Sequence, residues 1–266
     1  MRNPLLSPGQ IVELLKVVLA CLVKNLSRLL SAESAFNVQA LLPPRPKVAK
    51  HIKNAIESNL NEGLQLAPET GVLRCWWCGT DPLYVQYHDE EWGHPVLDEN
   101  RLFEKICLEG FQAGLSWITI LRKRESFRAA FENFDIEKVS RFGKRQINQL
   151  LQDASIVRHR GKIESVINNS QRALELLDSG GSLRELLWQD AVQSTVPITS
   201  KQQIVATSDA SIRLSKTLKR MGWSFVGPTT CYALMQSAGI VNDHLANCHS
   251  WQTVEAERKK IFPTLR

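Results

Sequence analysis

Two groups of thiols and imidazoles stand far apart in the sequence. Cys75, Cys78 and His88 lie early in its motif-rich region, and His244, Cys248 and His249 lie near its end. Thiolate and imidazole together are the donors expected of an intracellular zinc site. His244 and Cys248 are four residues apart, one turn of a helix, so both could face one ion. Six donors exceed the four of a tetrahedral centre. Cys75, Cys78, His244 and Cys248 would make a zinc-knuckle pairing, and Cys75, His88, His244 and Cys248 is the other choice. Either set would staple the start of the domain to its end. Four protein ligands would also leave no open position for water, so such a zinc would be structural. The bland alternative is a scatter of unrelated surface and core residues.

A carboxylate forms the second candidate. In a helix over residues 99–109, Glu109 lies seven after Leu102 and three after Ile106, on the apolar stripe. A buried carboxylate is costly unless it is paired, hydrogen-bonded or neutralised, and functional sites tolerate that cost. A helix that frays before Gly110 would instead leave Glu109 exposed. Aromatic side chains are dense in the same region: Trp76, Trp77, Tyr84, Tyr87, Trp92 and Trp117. They could line a stacking pocket for a flat ligand or base, or they could be core.

The segment Met221–Pro228 carries Gly222 and Gly227 around Trp223, Ser224, Phe225 and Val226. Set between two helices, it could offer free N–H groups to an anion such as a DNA phosphate. Arg122-Lys123-Arg124 and Arg158-His159-Arg160 with Lys162 could add phosphate contacts. Solvated charges and a plain turn are the alternative.

The elements that must carry these groups are mostly helices. Apolar residues recur at helical spacing over 10–31, 99–109, 136–151 and 161–178. Gly180-Gly181 stops the last of these. Ser208 suits the cap of a helix over 208–221, which Gly222 ends. Pro228 suits the first turn of another, which Gly239 closes. No run of alternating strands and no internal repeat is visible, so the expected fold is all-α. Leu42-Pro43-Pro44-Arg45-Pro46 breaks the chain. The expected division is a helical extension and linker over 1–70, of unknown role, and a main domain over 71–266 with a short tail.

The 266 residues are 43% hydrophobic and 23% charged, a globular composition that argues against disorder and a membrane bundle. Glu13, Lys16, Lys24 and Arg28 interrupt the apolar stretch 11–30, which excludes a spanning helix. The net charge of +6 divides equally between residues 1–70 and the rest, so no basic tail carries it. It is compatible with a polyanionic partner. Six cysteines in so long a chain do not make a disulfide scaffold. Cys21, Cys107 and Cys231 read as small core residues, which points to a reducing, cytoplasmic compartment.

Taken together, Asp81–Gly93, Cys107–Trp117, Arg158–Ile163, Phe225–Thr230 and Val241–His244 form long, colinear motifs. Their sequence resembles the 3-methyladenine DNA glycosylase I (Tag) family from about Arg74 to Cys248. The resemblance implies an all-α helix-hairpin-helix glycosylase, with Gly222–Pro228 as the hairpin and Gly222, Phe225, Val226 and Gly227 among its DNA contacts. It implies a structural zinc on Cys75, His88, His244 and Cys248, with Cys78 a spare thiol. It places the base-recognising acid on Glu109, the base pocket on Trp77, Tyr84, Tyr87 and Trp117, and a strand-wedging loop on Gly114 and Leu115. Related glycosylases place a catalytic Asp after the hairpin, but Asp243, beside a zinc ligand, is not assumed to fill that role.

The implied reaction is monofunctional. A monomeric enzyme would act on double-stranded DNA containing alkylated bases, hydrolyse the N-glycosidic bond of cationic 3-methyladenine and leave an abasic site, with no lyase step. Extrusion of the nucleotide costs a few kcal/mol, with Leu115 as the apolar wedge. Trp117 and Tyr87 would sandwich the cationic ring, and Glu109 would accept from its exocyclic amine. Two rivals remain at this level. A zinc deaminase would match His88-Asp89-Glu90 but lacks its second half-motif. A non-catalytic zinc-containing DNA-binding module would keep the metal and the loops without needing a buried acid.

Overall fold

A computed structural model of the chain describes residues 58–60, 62–67, 69–193 and 196–262. The helix expected over 10–31 and the proline linker lie outside the described residues. What is described is mostly helical, with one small antiparallel hairpin that the sequence pattern does not announce. Its strands, β1 (Leu64–Leu66) and β2 (Leu73–Cys75), pair Leu64 with Cys75 and Leu66 with Leu73. The hairpin spans residue 70, and Leu64 packs with Cys75, Leu245 and Cys248. Three residues per strand are too few for an alternation to register.

Eleven helices follow among the described residues: α1 (Pro82–Glu90), α2 (Glu99–Gln112), α3 (Trp117–Arg122), α4 (Arg124–Ala130), α5 (Ile136–Ser140), α6 (Lys144–Gln152), α7 (Arg160–Asp178), α8 (Leu183–Trp188), α9 (Asp209–Arg220), α10 (Pro228–Ser237) and α11 (His249–Ile261). Short 3₁₀ turns occupy Trp76–Cys78, Glu132–Phe134 and Lys201–Gln203. Several starts follow from local chemistry. The Asp81 carboxylate accepts from the N–H groups of Leu83 and Tyr84, with Pro82 at the first position. Asp98 accepts from Arg101 N–H, and Ser208 caps α9 as its type suggests. The single helix expected over 136–151 is two, because the chain leaves the helix at Phe142 and is extended at Gly143 between α5 and α6.

Helix α2 is the axis of the molecule. It packs against α10, α7, α8 and α3 and is buried from Leu102 to Phe111. Burying each of Leu102, Phe103, Ile106, Leu108 and Phe111 contributes about 1.5–3 kcal/mol. Phe111, Phe127, Phe131 and Phe134 continue the core away from the helix. Glu132, Asn133 and Phe134 all have positive φ, a left-handed turn costing roughly 1–2 kcal/mol per residue. Full burial of Phe134 offsets part of that cost. Among the described residues no helix is long and apolar enough to cross a membrane.

Candidate active site and metal centre

Cys75 ends β2, His88 lies in the last turn of α1, and His244 and Cys248 sit just before α11. All four are buried, and their donor atoms lie within 4.8 Å of one another. Cys248 Sγ is 3.4 Å from His88 Nε2 and 3.6 Å from His244 Nδ1, and Cys75 Sγ is 3.8 Å from His244 Nδ1. A tetrahedral zinc with bonds of about 2.3 Å to sulfur and 2.0–2.1 Å to nitrogen has a sulfur–nitrogen edge of about 3.6 Å. The cluster therefore fits a metal ion without rearrangement. Its electrostatics point the same way. The hydrogen bond to Cys248 and burial push the Cys75 thiol far up. The same bond from Cys75, helped by both imidazoles, holds Cys248 down as a thiolate. Two buried sulfurs cannot both ionise without a cation between them.

The knuckle pairing does not form. Cys78 is turned away, with its Sγ donating to Cys75 O at 3.2 Å and accepting from the Gln65 amide. His249 also stands outside the cluster, 2.9 Å from Asp89 Oδ1. The spacing of His244 and Cys248 holds, but its carrier is a turn, tied to Ile198 by a bridge at Leu245 and by Ala246 N–H donating to Ile198 O. Outside the cluster the rings are fixed by acceptors. Asp89 Oδ1 lies 2.7 Å from His88 Nδ1, and the Trp92 carbonyl lies 2.9 Å from His244 Nε2. Burial would raise the pKa of Asp89, but its bonds with Arg74, His88 and His249 overcome this and hold the carboxyl well below its usual range. Such outer partners set ring orientation and tautomer in metal sites.

A cavity of about 220 Å³ opens beside this cluster. Trp77, Tyr84, Tyr87 and Trp117 line it, together with Glu109. Trp77 links the two sites, its ring 5.1 Å from both Tyr84 and His88 and 4.8 Å from Trp92. Helix α2 runs past Glu109 to Gln112, so the acid does not fray into solvent and is only 5% exposed. Burial raises its pKa to about 7, with the Ser237 hydroxyl and Lys105 pulling the other way. Tyr87 and Trp117 do not form an open sandwich. Their centroids are 5.3 Å apart at 44°, whereas a ring between two others needs about 7 Å, twice the carbon–carbon contact distance.

The loop Ala113–Ser116 follows α2 on the surface. Gly114 has φ +80 with open space at its Cβ position, and Leu115 is 41% exposed. Beneath it the buried Lys162 donates to the carbonyls of Phe111 and Ala113 at 2.8 and 2.6 Å, closing the C-terminus of α2. The Met221–Gly227 segment lies nearby, where Phe225 approaches both Gly110 and His159. Asn169 of α7 fixes it by accepting from Ser224 N–H at 2.9 Å and donating to Ser224 O at 3.0 Å. Among the described residues, the N–H groups of Phe225, Val226 and Gly227 meet no acceptor. Gly222 and Phe225 have positive φ. The basic run at 122–124 is less available than its sequence suggests: Arg122 pairs with Asp81, Lys123 with two carbonyls and Arg124 with Glu91.

Sequence reasoning missed part of the pocket wall. Trp76, Trp92, Gln112, Ala233, Gln236 and Ile204 also line it. The two tryptophans stood in the aromatic cluster, and Ala233 and Gln236 share one face of α10 by their spacing of three. Ile204 sits in a loop and gave no signal. Asp243 does not line the pocket; its Oδ2 accepts from the Tyr232 hydroxyl at 2.7 Å and the Gln236 amide at 2.8 Å. Glu90 is exposed and bonded to Gln86, and the cluster beside it already presents four protein donors. Neither feature matches a deaminase centre, which needs a vacant metal position.

Comparison with known proteins gives one consistent answer. The family model for methyladenine glycosylase matches residues 77–251. DNA-3-methyladenine glycosylase 1 of Escherichia coli (strain K12) is 46% identical over 177 residues, covering 66% of this chain and 95% of that protein. The DNA-3-methyladenine glycosylase of Haemophilus influenzae is 42% identical, covering 66% and 96%. A crystal structure of 3-methyladenine DNA glycosylase I aligns with a TM-score of 0.65 at 45% identity, over 66% of this chain and 98% of that one. A further structure, of a variant of such an enzyme in complex with 3-methyladenine, aligns with a TM-score of 0.64 at 34% identity, over 66% and 95%.

Proposed function

Since the chain belongs to the methyladenine glycosylase family, we propose that it is a DNA-repair glycosylase that releases 3-methyladenine from alkylated double-stranded DNA. The observation that carries this is the placement of Glu109. A buried carboxylate in a small aromatic pocket is costly for a fold and useful for a flat cationic ligand. The volume of about 220 Å³ is below the roughly 300–1,000 Å³ of pockets for drug-sized ligands, and suits a single base.

The damaged base brings most of the driving force. Methylation at N3 delocalises positive charge over the purine, and cleavage to the neutral base relieves it. The protein's task is to extract and hold the nucleotide. Leu115, exposed on a loop anchored by Lys162, fills the vacated stack. The free N–H groups of Phe225, Val226 and Gly227 grip the phosphate backbone in the manner of a helix-hairpin-helix. The base stacks against the tilted Tyr87–Trp117 pair rather than between its rings, with Trp77 and Tyr84 closing the pocket. Glu109 accepts from the exocyclic amine. A cationic ring beside it lowers its pKa, so ligand and carboxylate favour each other's charged form. Water completes the hydrolysis at C1′ and leaves an abasic site; among the described residues no lysine lines the pocket.

Cys75, His88, His244 and Cys248 would hold a zinc ion, which when bound supplies structural cross-linking and charge neutralisation of the two thiolates. Chromatography of bases released from methylated DNA tests the main reading. Free 3-methyladenine should appear with time while the strands stay intact. A folded protein that releases no base would sink it.

A further inference from the structure

Two consecutive carbonyls just before β1 hold two walls of the base pocket, and they lie outside the residues the family model matches. Glu62 O accepts from Lys201 N–H at 2.8 Å, and Gly63 O accepts from Trp76 N–H at 2.9 Å. Trp76 lines the pocket directly. Lys201 opens the 3₁₀ turn Lys201–Gln203, whose next residue, Ile204, also lines it. Ile204 and Ile198, on either side of that turn, pack on the cluster formed by Leu64, Cys75, Leu245 and Cys248. Gly63 has φ +101, and a Cβ there would stand 2.7 Å from Lys201 Cβ. Close approach to the loop is thus built into this position. Asn59, further upstream, accepts from the Asn247 amide at 2.7 Å.

We infer that Glu62–Leu66, steadied by Asn59, act as a clamp that fixes the Ile204 and Trp76 walls of the pocket and so sets how large a base it admits. The clamp is a positioning device: none of Asn59, Glu62 or Gly63 lines the pocket. It rests on the glycosylase reading for the identity of the ligand, but not for the existence of the clamp. Loss of one holding bond lets the Ile204 wall move outward, which weakens the fit to a small purine and relaxes exclusion of a bulkier one.

The test uses the full chain. Lys201→Pro removes the one N–H that Glu62 holds, at the first position of a turn, where proline is tolerated. Ser200, at φ −146 and ψ 149, already has the extended geometry that a following proline demands. Lys201→Ala keeps the N–H and is the control. Free 3-methyladenine is titrated against tryptophan fluorescence, and release of 3-methyladenine and of bulkier alkylated purines from methylated DNA is followed alongside. Lys201→Pro should raise the Kd for free base and the KM by about two- to tenfold, the range expected for one hydrogen bond. It should leave kcat within about twofold, shift release toward bulkier purines and speed amide exchange at residues 202–206. Lys201→Ala should match the unmodified protein, and bound metal should be unchanged in both. If Lys201→Pro does not fold, Gly63→Ala, which pushes on Lys201 from the other side, carries the same expectations. Equal base affinity and selectivity in Lys201→Pro and Lys201→Ala would overturn the clamp, as would loss of metal with the proline. Absence of base release by the unmodified protein would instead overturn the glycosylase reading, and the exchange rates would still report on the clamp.

Discussion

Glu109 concentrates the conflict between stability and chemistry in one side chain. Its pKa, raised by burial from 4.5 to about 7, means that the folded state holds the proton more tightly than the unfolded chain. Stability linked to this group is therefore fully present below pH 4.5 and is lost as pH rises to about 7, by about 3 kcal/mol in all. Glu109→Gln removes that penalty while keeping shape. The variant should melt with the parent near pH 4.5 and above it at pH 8, which calorimetry at the two pH values checks. Function should move oppositely. A hydrogen bond to a charged group is worth about 1.5–3 kcal/mol, so release of 3-methyladenine should fall by roughly one to two decades. In the parent, kcat/KM should climb as pH rises through about 7, the value without ligand, and in Glu109→Gln it should stay flat. An unchanged rate in a folded Glu109→Gln protein would make the acid a passenger.

At the scale of elements, the pocket depends on where helices stop. The C-terminus of α2 carries the loop with Leu115 and is closed by Lys162 alone of the described side chains. Lys162→Met would leave two carbonyls without their donor, at a cost of about 1–3 kcal/mol. A lowered denaturation midpoint, with loss of DNA binding exceeding loss of free-base binding, is the expected pair of results. The sequence made much of this level legible. Helical phase put Glu109 on the apolar stripe but left open a frayed end that would expose it, and Ser208, Gly222, Pro228 and Gly239 marked the ends of α9 and α10. What it hid has physical causes. A turn can bring His244 and Cys248 together as well as a helix can, so spacing alone did not name the carrier. Strands of three residues carry no period. Arg122, Lys123 and Arg124 look like a phosphate site until their partners, distant in sequence, are known. Ile204 enters the pocket only through contacts that cross most of the chain.

For the whole molecule, the cluster of Cys75, His88, His244 and Cys248 joins segments about 160–170 residues apart. Cys75→Ser or His244→Ala should lose the metal and lower the melting temperature together, whereas Cys78→Ser should retain both; elemental analysis beside thermal melts reads this out. Shortening the chain tests the other long-range tie. A protein beginning at residue 58 should keep base release, but one beginning at residue 68 loses Leu64 and the bonds to Lys201 and Trp76, and should be less stable and less selective. Retention of full stability in the shorter form would show that the hairpin is an ornament. The separation of the ligands also has a consequence in time. During synthesis at about 5–20 residues per second, Cys75 and His88 leave the ribosome roughly 10–30 s before His244 and Cys248 exist to complete their shell. Over that interval two donors of the four-residue cluster stand without their partners, open to oxidation and to the wrong cation. The order of translation thus keeps the cluster from closing until the last tenth of the chain is made.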